Sequence, residues 1–452
     1  MSDGLPTPRR HFAVLTIWLA IGMAVLDGGV VNTALPLIAR QFGEDPGAAI
    51  WVLNAYQFAM IVALLPLAAA GDKLGYARVY RAGLLVFTLG SLACALSQSL
   101  TQLVAARLLQ GLGAAGVLSV NTALVRFTYP RHLLGRGIGM NGVVVALTSV
   151  AGPAIASAIL STADWRWIFA INLPIGVVTL AIAAMVLPRP VGSGAKLDVP
   201  AVVLNVIAFS AVIFGLESLG RFGAVWPAAL LFVGASAAVL LVRRSLARVA
   251  PLVPLDLVGL SSFRGPIALS IAAFSAQMLA FIALPFFLQN TLHRSVGQAG
   301  LLMSAWPLAS TCAALVAGRL ADRGHGRSCC CWGLALFSLG LALLAAAGPS
   351  PDLPHLIGWI ALCGLGLGLF QSPNNRAIVL AAPPTRSGAA GGMLVMARLL
   401  GQVTGAMVMA RLFHAPLARP TQLGFAMAAA IAATAAISLL PVTWSWWRKG
   451  RV

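Results

Sequence analysis

The sequence predicts an all-α membrane protein with fourteen transmembrane helices, grouped six, two and six, and with both termini in the cytoplasm. Three observations predict it: the composition, the spacing of the apolar runs, and the side on which the basic residues fall. Of 452 residues, 60% are hydrophobic and 9% are charged, too little polar surface to cover a water-soluble globule of that size. Apolar runs of about 18 to 25 residues recur from Phe12 to Trp444, each long enough to cross a hydrocarbon core of roughly 30 Å as a helix.

Taken in order, the runs place spans at 12–36, 50–70, 79–99, 102–125, 137–160, 167–187 and 200–219. The remaining seven fall at 225–242, 266–289, 298–318, 329–348, 355–375, 388–410 and 421–443. The first run follows Arg9 and Arg10 as a signal peptide would. Its length to Pro36, the acidic Asp27 within it and the thirteen further runs argue that it is retained as a helix.

With the N-terminus inside, 22 of the 30 basic residues occupy inner segments. Only Arg40, Arg166, Arg221, Arg294, Arg411 and Arg419 lie outside, and Arg107 and Arg398 fall within spans. This alternation obeys the positive-inside rule, and an odd number of helices would scramble it. The net charge of +19 therefore reports orientation in a lipid bilayer, and no nucleic-acid partner is expected.

A weak internal repeat organises the chain. Residues 66–78 read PLAAAGDKLGYAR and residues 315–327 read LVAGRLADRGHGR. Each puts an acidic-basic pair, Asp72-Lys73 or Asp322-Arg323, after an apolar span on the inner face. The first follows span 2 and the second span 10, so two six-helix repeats are separated by an inserted pair, a known transporter architecture. The expected division is a six-helix bundle at 1–188, linker helices 7 and 8 with their cytoplasmic connections at 189–263, and a second bundle at 264–452. Segments 188–199 and 243–264, rich in proline and basic residues, flank the pair, and no separate soluble domain fits.

Asp27, in LDGGVVNTALP at 26–36, is the one carboxylate deep in a span. An ionised group there must pair, titrate or line a wet cavity. A carboxylate in that position exchanges a proton for a cation, or it serves as a fixed helix-packing salt bridge. Arg107, in LVAARLLQGLGAAG at 103–116, comes to nearly the same depth as Asp27 when residues are counted at 1.5 Å each from the outer ends. It either communicates with Asp27 or snorkels to the outer surface. Gln110 offers a neutral hydrogen-bonding group one turn along the same face. Arg398 lies about ten residues inside span 13, free to bind an anionic group or to pair with a carboxylate from another helix. Glu217 sits near the outer end of span 7.

Other motifs read as packing. Gly111, Gly113 and Gly116 form GxGxxG, but inside an apolar helix with no preceding strand, so close helix contact is the better account than dinucleotide binding. Gly364, Gly366 and Gly368, and Gly401 with Gly405, read the same way. Gly152-Pro153 in span 5 permits a bend and is a candidate hinge. Cys94, Cys312, Cys329, Cys330, Cys331 and Cys363 lack metal-ligand spacing and read as small core residues. No metal site, no cofactor and no nucleotide-binding loop is expected. The six histidines lie near helix ends and no nucleophile-base pair can be drawn from them, so an intramembrane enzyme or sensor is a remote alternative and no catalytic residue is assigned.

These residues resemble the 14-helix drug:proton antiporter branch of the major facilitator superfamily, over essentially the whole chain. LDGGVVNTALP is similar to the branch's first-helix motif, with Asp27 at its acidic position and Asn32 further along it. AAAGDKLGYAR is similar to its loop between helices 2 and 3 through Asp72, Lys73, Gly75 and Arg78, with alanines at 68 and 70 in place of the usual glycine and leucine. Arg107, Gln110, Gly111 and Gly113 match its fourth-helix motif. DWRWIFAINLPIG at 164–176 is the most branch-specific stretch, and PLVPLDL at 251–257 is similar to the segment before helix 9. In the fifth-helix antiporter motif Gly152 and Pro153 match, whereas Ala156 and Ser157 stand where paired glycines are usual.

The resemblance implies a major facilitator fold, rocker-switch alternating access, and proton coupling through Asp27 and Arg107. Asn32, Gln110 and Arg398 are assigned to the substrate cavity or to support of coupling. Asp72, Lys73, Gly75, Arg78, Asp322 and Arg323 are assigned to an inner conformational gate. The expected function is export of lipophilic or cationic small molecules in exchange for protons across the inner (plasma) membrane, by a monomer. The alternative on the same fold is an exporter dedicated to one endogenous metabolite, amino acid or antibiotic.

Overall fold

A computed structural model describes residues 4–130, 133–187, 198–218, 223, 225–246, 255–383 and 387–440. Most of the expected connections 188–199 and 243–264, the basic residues Arg131, Arg189, Lys196, Arg221, Arg248 and Arg386, and the C-terminus from 441 lie outside the described residues.

The described residues form helices joined by short turns, with no strand among them. They are α1 (Arg9–Phe42), α2 (Pro46–Ala49), α3 (Trp51–Leu74), α4 (Tyr76–Ala95), α5 (Leu100–Thr128), α6 (Leu134–Thr162), α7 (Trp167–Ala170) and α8 (Asn172–Val186). There follow α9 (Val199–Ser218), α10 (Val225–Leu246), α11 (Leu255–Val258) and α12 (Ser261–Phe286). The chain ends with α13 (Val296–Leu320), α14 (Gly326–Ala345), α15 (Leu353–Ala381), α16 (Ser387–His414) and α17 (Pro420–Ile437). Helix α1 runs six residues beyond Pro36, because a proline inside a membrane helix costs a hydrogen bond that neighbouring groups replace.

Among the described residues, thirteen helices are long and apolar enough to cross a membrane. The longest, Val296–Ala345, has 50 residues, about 75 Å if it were straight. It breaks at Gly324, whose φ of 87° departs from helical geometry. The sections on either side, α13 and α14, both pack on α15, a helix of 29 residues, so the chain doubles back there. Thirteen observed helices and fourteen expected spans differ at this one element. Gly75 does the same between α3 and α4 with φ of 96°, a backbone conformation that glycine alone adopts without steric cost. The segments at 66–78 and 315–327 are thus helix ends meeting at a left-handed glycine, with less loop than their polarity predicts.

Helices α1 to α8 pack among themselves, as do α12 to α17. Close approach rests on glycine in both groups. A Cβ on Gly113 would lie 2.2 Å from the Phe87 nitrogen, and one on Gly366 would lie 2.3 Å from that of Phe337. The pairs α4–α5 and α14–α15 therefore meet backbone to backbone at corresponding places, the contact mode that drives helix association where water supplies no hydrophobic force. The large apolar side chains left outside, such as Leu85, Leu89 and Leu92 on α4 and Leu301, Leu308 and Leu315 on α13, recur at helical spacing and face lipid.

The two groups meet along α6 with α13, α3 with α16, and α1 with α12. Ser157 Oγ donates to the Gly297 carbonyl at 2.6 Å, Gln289 Nε2 donates to that of Thr33 at 3.1 Å, and Arg40 donates to Asn290 Oδ1. His414 Nε2 lies 3.5 Å from Asp45 Oδ2. Every one of these bonds lies in the half of the membrane that the charge distribution assigns to the outside. Where paired glycines were expected on the fifth helix, Ala156 and Ser157 are accommodated by glycines on the facing helix. A Cβ on Gly300 would come 2.6 Å from the Pro153 carbonyl.

Between the groups, α9 and α10 form a pair, and α9 docks on α3. Asn205 Nδ2 donates to the Val62 carbonyl at 2.9 Å, the acceptor that Pro66, lacking an N–H, leaves without its helical donor. Trp51 stacks on Phe214 with centroids 5.9 Å apart.

Replacing Gly113 or Gly366 by alanine should each cost about 1–3 kcal/mol through overpacking, read as a lower melting temperature of the purified protein in detergent. Gly28→Ala, whose Cβ meets nothing within 4 Å, should leave that temperature unchanged or raise it.

Candidate proton-coupling site

Asp27, on α1, is 2% exposed, and Arg107 and Gln110, three residues apart on α5, are 0% exposed. Arg107 Nη1 donates to Asp27 Oδ2 at 2.5 Å and to Gln110 Oε1 at 2.6 Å. Gln110 Nε2 donates to Asp27 Oδ1 at 2.9 Å and to Ser91 Oγ at 2.8 Å. The Arg107 Nε donates to the Val52 carbonyl at 2.9 Å. The guanidinium carbon sits 4.3 Å from the centre of the Tyr56 ring and 5.7 Å from that of Phe169. Both carboxylate oxygens are therefore held by donors from one neighbouring helix, and the cation is covered by two aromatic faces.

Glycines bring these groups within reach. A Cβ on Gly90 would lie 2.6 Å from the Gln110 Cα, and one on Gly111 would lie 2.4 Å from the Tyr56 carbonyl. The GxGxxG stretch acts as packing: it draws α3 and α4 against α5 so that Tyr56 covers Arg107 and Ser91 reaches Gln110. Arg107 does not snorkel. It points inward to Asp27, the contact that equal depth along two helices left open.

The other expected residues distribute as follows. Asn32 is 0% exposed and Nδ2 donates across the seam to the Phe281 carbonyl at 2.6 Å, outside the Asp27 cluster. Gly152 meets α1 at Gly29, where an added Cβ would stand 3.6 Å from the Gly152 Cα, and Pro153 lies beside it. Asp72 accepts from the Tyr76 hydroxyl, and Arg78 Nη1 donates to the Leu74 carbonyl at 3.3 Å. Asp322 pairs with Arg376 of α15 at 2.6 Å. Lys73 and Arg323 form no ion pair among the described residues. Arg398, partly exposed on α16, has its guanidinium carbon 5.2 Å from the Phe274 ring centre. Sequence reasoning missed Ser91 and Tyr56, whose only signal is their position opposite the α5 glycines, and Arg376, which lies on a different helix from its partner.

Glu217 is 7% exposed and accepts from Trp51 Nε1 at 3.2 Å, more deeply enclosed than an interfacial side chain. Three of the six cysteines, Cys94, Cys330 and Cys363, are fully buried, and none of the six forms a disulfide. No cluster of metal-ligating side chains occurs among the described residues.

A family model described as Major Facilitator Superfamily matches residues 17–283 and 267–449. The chain belongs to that superfamily. Over 98% of its length it is 45% identical to the Uncharacterized transporter YebQ of Escherichia coli (strain K12), of which it covers 98%. It is 29% identical to Riboflavin transporter RibZ of Clostridioides difficile (strain 630), covering 88% of this chain and 87% of that one. It is 30% identical to Multidrug resistance protein Stp of Mycobacterium tuberculosis (strain CDC 1551 / Oshkosh), covering 86% and 73%. A crystal structure of a POT family transporter in complex with a thioalcohol-conjugated peptide superposes with a TM-score of 0.73 at 15% identity, over 94% of this chain and 95% of that one, which shows the shared fold. With thirteen long apolar helices, this superfamily member is a multi-pass inner-membrane transporter.

In this transporter, Arg107→Leu leaves a buried carboxylate with one neutral partner, at a cost of about 3–5 kcal/mol. The expected outcome is poor recovery from the membrane. The double variant Asp27→Asn/Arg107→Gln, which removes both charges, should recover a monodisperse protein on gel filtration. Equal recovery of the Leu variant and the wild type would contradict the pairing.

Proposed function

We propose that the chain is a proton-coupled exporter of amphipathic small molecules, lipophilic and cationic compounds among them. In this reading two six-helix bundles, 1–188 and 264–452, rock about a site between them, with 189–263 as an inserted pair. The observation that carries it is the Asp27–Arg107–Gln110 cluster: a buried charge pair within the helices of a transporter. A purely structural position is served as well by apolar packing, since replacing a buried ion pair with apolar groups is often neutral or stabilising. The relative named a multidrug resistance protein supports drug export.

Coupling follows from the geometry. A proton arriving at Asp27 Oδ2 competes with the Arg107 Nη1 donor, 2.5 Å away. Once protonated, the carboxyl no longer offsets the cation, and Arg107 retains the Gln110 and Val52 oxygens together with the Tyr56 and Phe169 faces. Release of the proton restores the pair. A cationic substrate and a proton therefore draw on the same carboxylate, and one proton per monovalent cation is electroneutral. Asp322–Arg376 and the α3–α4 corner at Gly75 serve as inner gate elements, and Gly152-Pro153 against Gly29 as the hinge.

A second reading keeps the fold and makes the cargo a single metabolite. The relative named a riboflavin transporter favours it. A substrate panel separates the two, because a dedicated carrier ignores most dyes and antiseptics.

The test is transport in proteoliposomes with an imposed pH gradient, using a fluorescent lipophilic cation. Wild type should move the cation with the gradient, and Asp27→Asn should reduce gradient-driven movement at least about a hundredfold while leaving the protein folded. Gradient-driven movement that survives the substitution would remove Asp27 from coupling. If wild type moves no cation under any gradient, the broad drug-export reading falls and the dedicated carrier takes its place.

A further inference from the structure

Arg398 is the second basic residue within a span, and its surroundings differ from those of Arg107 in one respect: it has no counterion. Its guanidinium carbon lies 5.2 Å from the Phe274 ring centre and no carboxylate of the described residues pairs with it. Among the carboxylates of the described spans, Asp27 is held by Arg107 and Gln110, Glu217 at the outer end by Trp51, and Asp72 and Asp322 at the inner helix ends by Tyr76 and Arg376.

The position of Arg398 on its helix is informative. Met396, Leu399, Val403 and Met407 of α16 belong to the core shared with α3, and Thr404, on another face, is exposed. Arg398 lies on neither of these faces. It shares its side of the helix with Gln402, one turn away, and both are partly exposed. Across from it, Phe274 and Met278 stand one turn apart on α12, and Gln57 Nε2 of α3 reaches Met278 Sδ at 3.8 Å. Arg398 therefore sits one turn inward of the place where α3 and α12 meet. Around that meeting point, Gln57 Oε1 and Gln277 Oε1 are buried and have no hydrogen-bond partner.

An unpaired guanidinium within a membrane span is costly, and the cost falls when an anion meets it. The guanidinium carbon lies 5.2 Å from the Phe274 ring centre and its N–H groups form no hydrogen bond among the described residues, so the fork is available to engage a carboxylate or similar oxyanion in two-pronged fashion. The unpartnered amide oxygens nearby accept from N–H or O–H groups. We propose that Arg398 is the binding group for an acidic substituent of the transported compound, so that the preferred cargo is an amphipathic carboxylate or zwitterion carrying hydrogen-bond donors. This rests on the reading of the chain as a carrier with its site between the two bundles, and it narrows the substrate class within that reading. It also changes the charge balance: a zwitterion exchanged for one proton carries one positive charge inward, so the membrane potential drives its export.

The experiment uses rhodamine B, a xanthene dye with a free carboxylate, and its ethyl ester, which has the same rings and no acid group. Binding to the purified full chain is measured by fluorescence polarisation. The wild type should bind rhodamine B about tenfold more tightly than the ester, the order of one charge-assisted contact. Arg398→Gln should abolish that preference and leave ester affinity within about twofold. Arg398→Lys, which keeps the charge and loses the fork, should weaken rhodamine B binding severalfold without moving the ester, and serves if the glutamine variant does not fold. Equal affinities in the wild type, binding of neither dye, a preference that survives Arg398→Gln, or an Arg398→Lys variant indistinguishable from wild type would each overturn the proposal. Gradient-driven movement of the ester tests the export reading separately: if the ester moves and no carboxylate preference exists, only the assignment of Arg398 fails.

Discussion

The Asp27–Arg107 pair is the constraint around which the N-terminal helices are arranged. A carboxylate and a guanidinium removed from both water and the headgroups are costly unless protein groups replace the contacts they lose. Several helices contribute: Gln110 beside Arg107 on α5, Ser91 on α4 through its bond to Gln110, the Val52 carbonyl and the Tyr56 ring on α3, and Phe169 on α7, while Arg107 Nη2 is buried without a hydrogen-bond partner among the described residues. Meeting so many partners in so small a volume forces the helices together, and glycines at 90, 111 and 113 are what allow it. Packing and electrostatics are thus one requirement here. The small residues let the helices touch, and the touching helices carry the groups that make a buried charge tolerable.

The C-terminal helices use the same packing without the charges. Gly364 meets the Trp306 carbonyl as Gly111 meets that of Tyr56, and Gly340 meets Cys363 as Gly90 meets Gln110. Trp306 stands where the first group has Tyr56, and Cys363 where it has Gln110. A glycine scaffold shared by both groups therefore carries a titratable cluster in the first and an apolar filling in the second. At these matching positions the two groups differ in their side chains, Tyr56 and Gln110 against Trp306 and Cys363.

Much of this was legible in the sequence, and the reasons are physical. A bilayer sets a length and a polarity for every span, so helix positions emerge from hydropathy to within a few residues, and loop charges give orientation. Buried charges are rare in membranes, so Asp27, Arg107 and Arg398 declare themselves as single residues. What stays hidden is rotation about each helix axis. Depth along the membrane placed Asp27 level with Arg107 and left their facing unsettled; the same ambiguity concealed Ser91 and Tyr56 as partners and the bond from Asn32 to α12. Polar stretches after spans also read as loops, while the chain turns in a single left-handed glycine at 75 and again at 324.

Asn32 has a consequence of its own. Its bond goes to the Phe281 carbonyl, and Pro285, four residues on, has no N–H to satisfy that oxygen from within the helix. The oxygen's donor therefore belongs to the opposite bundle. In the rocking motion proposed above, parting of the outer ends of α1 and α12 takes that donor from an acceptor within the membrane, and only solvent entering the gap replaces it. Opening to the outside and wetting of the seam become a single event, and a dry, half-separated intermediate is disfavoured. An asparagine borrowed across the seam thereby makes the two end states more distinct than apolar surfaces alone would, which is what a carrier needs if it is never to be open on both sides at once.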